Sequence, residues 1–309
     1  MIEYKGKQVT IMACSDCNAN CEHCYISYKG NLSGDELLDM CKNFKNKYKI
    51  IINGTEVLLH KEYFEALKLS DQKRLLTNGL IICYDETILD RIIKTGIKNI
   101  AMSYHFGSEV SNVPQNIVEM AIKKIKEKKL NPELMCTITT ENYDKLDEIC
   151  KKVINLDVKT IRFFNCIDTG KCESNCLNLC LNDSQIKTFF KELKKVRKKY
   201  DKNILKIKRN GLFGNDISNI NCNFKCIAGI DEVVITPDKN VYPCIFMTKP
   251  GYEIGKYVDE KIMLYNNIYN DGTKCISCEI FNKNNNNIFN DIFNKNDDWI
   301  ILCDILVYD

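Results

Sequence analysis

The sequence predicts an α/β fold built on a parallel sheet, and three observations point to it. Short apolar runs alternate, up to about residue 200, with segments whose apolar positions recur at helical spacing. Turn residues such as Thr77-Asn78-Gly79 close the runs. Strands separated by helices must lie parallel and be joined by right-handed crossovers. A partial barrel and a doubly wound open sheet both satisfy this pattern.

The first strand is the run Val9-Thr10-Ile11-Met12-Ala13. A helix follows, starting near Ser33 or Asp35, with Leu37, Leu38, Cys41 and Phe44 at helical spacing. Residues 48–52 form the second strand, 61–69 a helix, and 74–76 the third strand. A helix over 84–95 leads to a strand over 97–103. The helix over 116–129 carries Ile117, Met120, Ala121 and Ile125 on one side. A strand over 134–138, a helix over 143–156, a sixth strand over 160–164 and a helix over 184–200 complete the series. From Arg209 to Asp216 the pattern breaks into turn residues, which places a domain boundary between 1–208 and 209–309. A hairpin follows, with strands over 232–236 and 241–243 around Pro237-Asp-Lys-Asn240. Residues 282–296 are asparagine-rich and read as a surface loop, and 299–307 as a last apolar element.

Composition narrows the functions. A chain of 309 residues exceeds the usual size of one core, so a large domain with a smaller one is expected. The 44 basic and 41 acidic residues balance, which leaves no electrostatic footprint for nucleic acid. No apolar run approaches the roughly 18 residues of a membrane span, and no signal peptide opens the sequence. Eighteen cysteines without a secretory signal argue for metal or redox chemistry over a disulfide framework. The compartment expected is cytoplasmic and oxygen-poor.

The cysteines themselves are patterned. Residues 17 to 24 read Cys17-Asn-Ala-Asn-Cys21-Glu-His-Cys24, followed by Tyr25. Three thiolates on a short loop can face one [4Fe–4S] cube, which usually takes four cysteines, so one iron stays open. With this many cysteines the spacing arises by chance in roughly 6% of such chains, and a zinc knuckle or scattered packing thiols satisfy it too. Its place, directly after the first strand and before a helix, is what those readings do not predict. Cys14 is read as an end-of-strand thiol, with replacement of Cys17 as the alternative.

The loop resembles the signature of the radical S-adenosylmethionine (SAM) enzymes. The resemblance implies a partial (β/α)6 barrel with a small C-terminal β-hairpin, cluster-binding domain. It also implies a cluster on Cys17, Cys21 and Cys24 whose open iron chelates SAM. After the second strand, Asn53-Gly54-Thr55-Glu56-Val57 looks like the family's Gly-Gly-Glu-Pro stretch, with Thr55 and Val57 replacing the second glycine and the proline. On that likeness Gly54, Thr55 and Glu56 hold the SAM ammonium, since a cation needs acceptors and glycine admits a close backbone. An ordinary strand-to-helix turn is the alternative. Ser103, ending the fourth strand, is implied in binding the SAM ribose or carboxylate. His105 stands where members often carry an acid. His23 takes the place of an aromatic ring beside adenine. His60 is read as a cap or packing residue.

In the last third, Cys226, Cys244, Cys275 and Cys278 resemble the abbreviated auxiliary-cluster extension, called twitch, of the SPASM radical SAM proteins. Four cysteines with one Cys-x-x-Cys equally suit a structural zinc ion, and Cys222 is the alternative to Cys226. Cys166, Cys172, Cys176 and Cys180 form a further group after the sixth strand. A third metal site, reactive thiols and unrelated packing thiols all stand as readings of it. The resemblance implies an oxidoreductase that generates a 5′-deoxyadenosyl radical to crosslink or epimerise a ribosomally made peptide. An auxiliary [4Fe–4S] cluster assists, and a flavodoxin or ferredoxin supplies electrons. A small metabolite as substrate, a zinc or iron–sulfur binding module and an electron-transfer protein are the alternatives.

Overall fold

The computed structural model describes residues 1–106, 111–167, 169–174, 176–210 and 228–265. In chain order the elements are β1 (Ile2–Glu3), β2 (Gln8–Met12), α1 (Gly34–Phe44), β3 (Lys49–Asn53), α2 (Phe64–Leu69), β4 (Arg74–Thr77), α3 (Leu80–Tyr84), α4 (Ile88–Thr95) and β5 (Asn99–Ser103). Next come α5 (Gln115–Glu127), β6 (Asn131–Ile138), α6 (Leu146–Asn155), β7 (Thr160–Asn165), α7 (Cys176–Leu179), α8 (Asp183–Lys199) and β8 (Lys206–Asn210). The C-terminal strands are β9 (Glu232–Ile235), β10 (Asn240–Tyr242), β11 (Gly255–Val258) and β12 (Lys261–Leu264).

Strands β4 to β8 form a five-stranded sheet in sequence order, every pair parallel. A seven-stranded sheet runs β1-β12-β11-β10-β9-β2-β3, in which β2 is parallel to both β3 and β9. The two sheets make an incomplete α/β barrel; no closed barrel forms among the described residues. At the seam the edge of β3 is satisfied by side chains: Asp71 Oδ2 accepts from the Ile50 N–H at 2.8 Å and Gln72 Oε1 from the Ile52 N–H at 2.7 Å. An unpaired buried N–H costs about as much as a lost hydrogen bond, so these two residues let the sheet break there.

The helices pack their apolar stripes on the strands. Every residue of β2 is buried, and α1 covers its sheet with Leu37, Met40, Cys41 and Phe44. Ser33 starts α1 through a reciprocal capping box with Glu36, which decides between the two expected starts.

Three expectations change. The helix over 61–69 begins as a 3-10 turn at Lys61–Tyr63 and becomes α-helical only at Phe64. The helix expected over 84–95 starts only at Ile88, behind a separate helix that ends at Tyr84, because Asp85 Oδ1 accepts from both the N–H and the hydroxyl of Thr87 and so draws the backbone out of the helix. The hairpin of β9 and β10 does not stand apart: β9 pairs parallel with β2, from Gln8↔Glu232 to Ile11↔Ile235. The sheet also gains β11 and β12, and β12 pairs with β1. Their turn places Asp259 and Glu260 at φ +48° and +59°, an uncommon choice where Asn-Gly is usual, so no sequence signal announced it.

No helix among the described residues is long and apolar enough to cross a membrane.

Candidate functional site

The segment after β2 leaves the sheet and returns at α1 as a loop fastened at its base. Cys14 bridges to Asn31, and the Leu32 N–H donates to the Ala13 carbonyl at 2.9 Å. The buried Tyr63 hydroxyl donates to the carbonyls of Ala13 and Leu32 at 3.1 and 2.6 Å. From inside the loop, the Tyr28 hydroxyl donates to the Cys14 carbonyl at 2.9 Å. Cys14 itself is fully buried, its thiol is pushed up to about 12 by burial, and it does not line the cavity described next.

Cys17, Cys21 and Cys24 open from this loop onto a cavity of about 310 Å³. Its upper wall is built from the C-terminal ends of parallel strands, with Asn53, Thr77, Ser103 and Thr137 at successive ends. That placement follows from the parallel sheet, whose ligands gather where strands turn into helices. One pleat lower, Ile51, Leu76, Met135 and Phe164 make an apolar belt. Below them stand Arg74, Arg162 and Lys208, with Glu133 accepting from Arg74 Nε at 2.7 Å and Arg162 Nε at 3.3 Å. The two-residue alternation along β3, β4, β6 and β7 thus sets Ile51, Leu76, Met135 and Phe164 as an apolar waist between a polar rim and a charged floor, with Thr77 joining the rim from the position next to Leu76.

The expected site residues fall as follows. Cys17, Cys21, His23, Cys24, Gly54, Thr55 and Ser103 all line the cavity. Cys17 Sγ accepts the Ala19 N–H at 3.3 Å and Asn78 Nδ2 at 3.6 Å. Burial pushes the Cys17 and Cys24 thiols up, and a coordinated metal is what draws thiolates from such thiols. Gly54 is there for space: a Cβ on it would meet Cys14 Sγ at 2.6 Å.

Glu56 is placed differently from the ammonium contact that the resemblance implied. It is wholly buried, outside the cavity lining, and its carboxylate accepts from the Asn78 N–H at 2.7 Å and the Thr77 hydroxyl at 3.0 Å. Burial pushes it up to about 7 against these hydrogen bonds. The acid ties the turn after β3 to the turn after β4.

His105 lines the cavity with its ring centroid 4.3 Å from that of His23. Its Nδ1 accepts the Thr137 N–H at 3.4 Å, while its buried Nε2 has no partner among the described residues. Burial, and secondarily His23, holds the ring neutral, well below the usual imidazole range. With Nδ1 accepting, the proton sits on Nε2, a donor. His60 packs instead, stacked on Tyr63 with centroids 4.6 Å apart.

Cys244 follows β10 at the start of a 3-10 turn, half-buried beside Tyr25 and Phe246 and away from the cavity lining. Cys222, Cys226, Cys275, Cys278 and Cys303 lie outside the described residues. The sequence reading missed the floor, although its signal was present: Arg162 interrupts the apolar strand Thr160-Ile-Arg-Phe-Phe164, and a charge in a buried strand asks for a partner and a purpose.

No protein-family model matches the chain, and no curated protein matches it by sequence. Solved structures do. SuiB of Streptococcus suis bound to its precursor peptide SuiA superimposes with a TM-score of 0.65 at 13% identity, covering 81% of this chain and 62% of that one. The chain thus spans less than two thirds of SuiB. The anSMEcpe enzyme with bound AdoMet gives 0.63 at 22% identity, covering 82% and 78%. Its complex with AdoMet and the Cp18Cys peptide gives 0.63 at 22% identity, covering 82% and 77%. The chain shares the fold of these two proteins.

Proposed function

We propose that the chain is a radical SAM enzyme that modifies a peptide with the help of one auxiliary [4Fe–4S] cluster. The observation that carries this reading is the three-cysteine loop, fastened at the end of β2 and opening on a cavity that the C-terminal ends of β3, β4, β5 and β6 share. The donor set fits a cube. Cys17, Cys21 and Cys24 are three sulfurs on one wall, Cys17 is supplied with N–H donors that favour a thiolate, and the three are not drawn onto one point as ligands of a lone ion are. When bound and reduced, such a cluster supplies the electron that cleaves SAM to a hydrogen-abstracting 5′-deoxyadenosyl radical.

The protein's part is to bind and orient. Gly54 and Thr55 offer backbone and hydroxyl oxygens to the SAM ammonium, and Ser103 a hydroxyl to its ribose or carboxylate. Glu56 acts one layer behind as a positioning residue for the Thr77–Asn78 turn. His23 packs beside the adenine. The apolar waist excludes water from the radical, and the guanidinium groups of Arg74 and Arg162 meet carbonyl oxygens of the substrate. A peptide substrate is supported by the neighbours, since SuiB is seen with its precursor peptide and anSMEcpe with a peptide. Residues 209–309 form the auxiliary region, with Cys226, Cys244, Cys275 and Cys278 as ligands.

Replacing Cys17, Cys21 and Cys24 together by alanine is expected to abolish reductive cleavage of SAM while iron at the auxiliary site persists. Continued production of 5′-deoxyadenosine by the triple variant overturns the assignment. Full reconstitution should give about eight irons per chain, falling by about half when Cys275 and Cys278 are replaced. Zinc held there instead, with one cube per chain, removes the auxiliary cluster from the reading.

A further inference from the structure

Behind the signature loop, the excursion after β7 gathers three thiols that the SAM reading does not use. The Sγ atoms of Cys166, Cys172 and Cys180 all lie within 4.8 Å of one another, the one such group of potential metal ligands among the described residues. Cys172 is fully buried; Cys166 and Cys180 are half-buried. Cys166 Sγ and Cys172 Sγ are 3.0 Å apart, much longer than a disulfide bond of about 2.05 Å and closer than neutral atoms usually rest, at about 3.5 Å or more.

We propose that Cys166, Cys172 and Cys180 bind a single zinc ion, which fastens this excursion to the signature loop. A tetrahedral zinc with bonds of about 2.3 Å sets its sulfurs about 3.8 Å apart, inside the observed spread. A [4Fe–4S] cube holds its cysteine sulfurs roughly 6 Å apart, outside it. Binding turns three thiols into thiolates, and their three protons leave to solvent.

The position gives the ion its purpose. The Cys172 N–H donates to the carbonyl of Cys24 at 3.1 Å, and Lys171 Nζ reaches Asn20 Oδ1 at 2.7 Å. Gly170, at φ +63°, lies so close to Tyr25 and Ile26 that a Cβ would meet the Ile26 carbonyl oxygen at 2.5 Å. One ion therefore backs the last cysteine of the loop through a direct backbone contact. The site needs no SAM chemistry, so its test is separate from that of the proposed function.

The test is metal analysis of the full chain purified anaerobically with iron and zinc supplied. One zinc per chain is expected, lost when Cys166, Cys172 and Cys180 are changed together to serine and retained in Cys275→Ala/Cys278→Ala. Absence of zinc from the wild-type chain overturns the proposal. So does zinc that leaves with Cys275 and Cys278, or iron that falls by about four in the serine variant. A mass two hydrogens lower across Cys166–Cys172 after anaerobic denaturation and alkylation, a disulfide, overturns it as well. Should the serine variant not fold, the native wild-type chain is alkylated with and without a zinc chelator, and Cys166 and Cys180 are followed by peptide mass spectrometry. Labelling that appears only with the chelator supports the site; equal labelling in both arms refutes it.

Discussion

A methyl group at position 54 would meet Cys14 Sγ at 2.6 Å and the Cys14 carbonyl oxygen at 3.1 Å. Gly54→Ala must therefore push apart the turn after β3 and the base of the signature loop. A loss of about 1–3 kcal/mol is expected, the usual cost of overpacking, read as a lowered denaturation midpoint. Glu56, two residues on, accepts from the Asn78 N–H and the Thr77 hydroxyl in full burial. Glu56→Ala leaves both donors without an acceptor, at about 1–3 kcal/mol for each, whereas Glu56→Gln keeps an acceptor and should lose less. Urea unfolding of the two variants checks this order. Glycine at 54 was legible only as room for a backbone to approach a bound ammonium, not as packing against Cys14. The destination of Glu56 was not, because its partners lie 21 and 22 residues further on and no local pattern names them.

At the scale of elements, α1 is the clearest case of structure written locally. Its Ser33-x-x-Glu36 box was visible, and both reciprocal hydrogen bonds form, at 2.9 and 3.2 Å. Ser33→Ala should cost about 1 kcal/mol, the worth of a good N-cap, measured by chemical denaturation. Elsewhere the helical period misled. It runs on through Asp85, where a side chain competes for the backbone and divides α3 from α4. Strand β8, Lys206-Ile-Lys-Arg-Asn210, was missed because it has no apolar run; four of its five residues are charged or polar, and among the described residues it pairs only with β7. The cavity floor was hidden for a related reason, since Arg74, Glu133 and Arg162 come from three strands and meet only when β4, β6 and β7 are in register.

Over the whole molecule, the parallel order of the central strands could be read from alternation, but the place of β9 beside β2 could not. That pairing joins residues more than two hundred positions apart, as in the 2.9 Å hydrogen bond from the Thr10 hydroxyl to Glu232 Oε1. Burial of Glu232 in this joint raises it from the ordinary carboxylate value of 4.5 to about 7. A group bound to its proton more tightly when folded stabilises fully below its unfolded value and loses that contribution as pH rises through the folded one. Stability is therefore expected to fall between about pH 4.5 and 7, by about 3 kcal/mol for this residue. Glu56 titrates in the same window, so Glu232→Gln should remove about half of the slope. Thermal unfolding followed across that range supplies the check; an unchanged slope in the variant rules out Glu232 as its source.

The insertion of β9 beside β2 also sets an order of events during synthesis. Strand β2, which carries the signature loop at its end, emerges from the ribosome early, yet one of its two hydrogen-bonding neighbours is made only when residue 235 has been translated. Until then β2 presents a bare edge whose residues are all destined for burial, the kind of surface that recruits foreign strands. The high separation of the pairing makes its closure slow compared with the neighbouring α/β units. A nascent chain arrested before residue 228 should accordingly bind chaperones and aggregate, while one arrested well past residue 264 has the whole seven-stranded sheet available. A cluster held as proposed by Cys17, Cys21 and Cys24 would then be inserted late, after translation, because the sheet that positions these residues is not finished until β9 has been made.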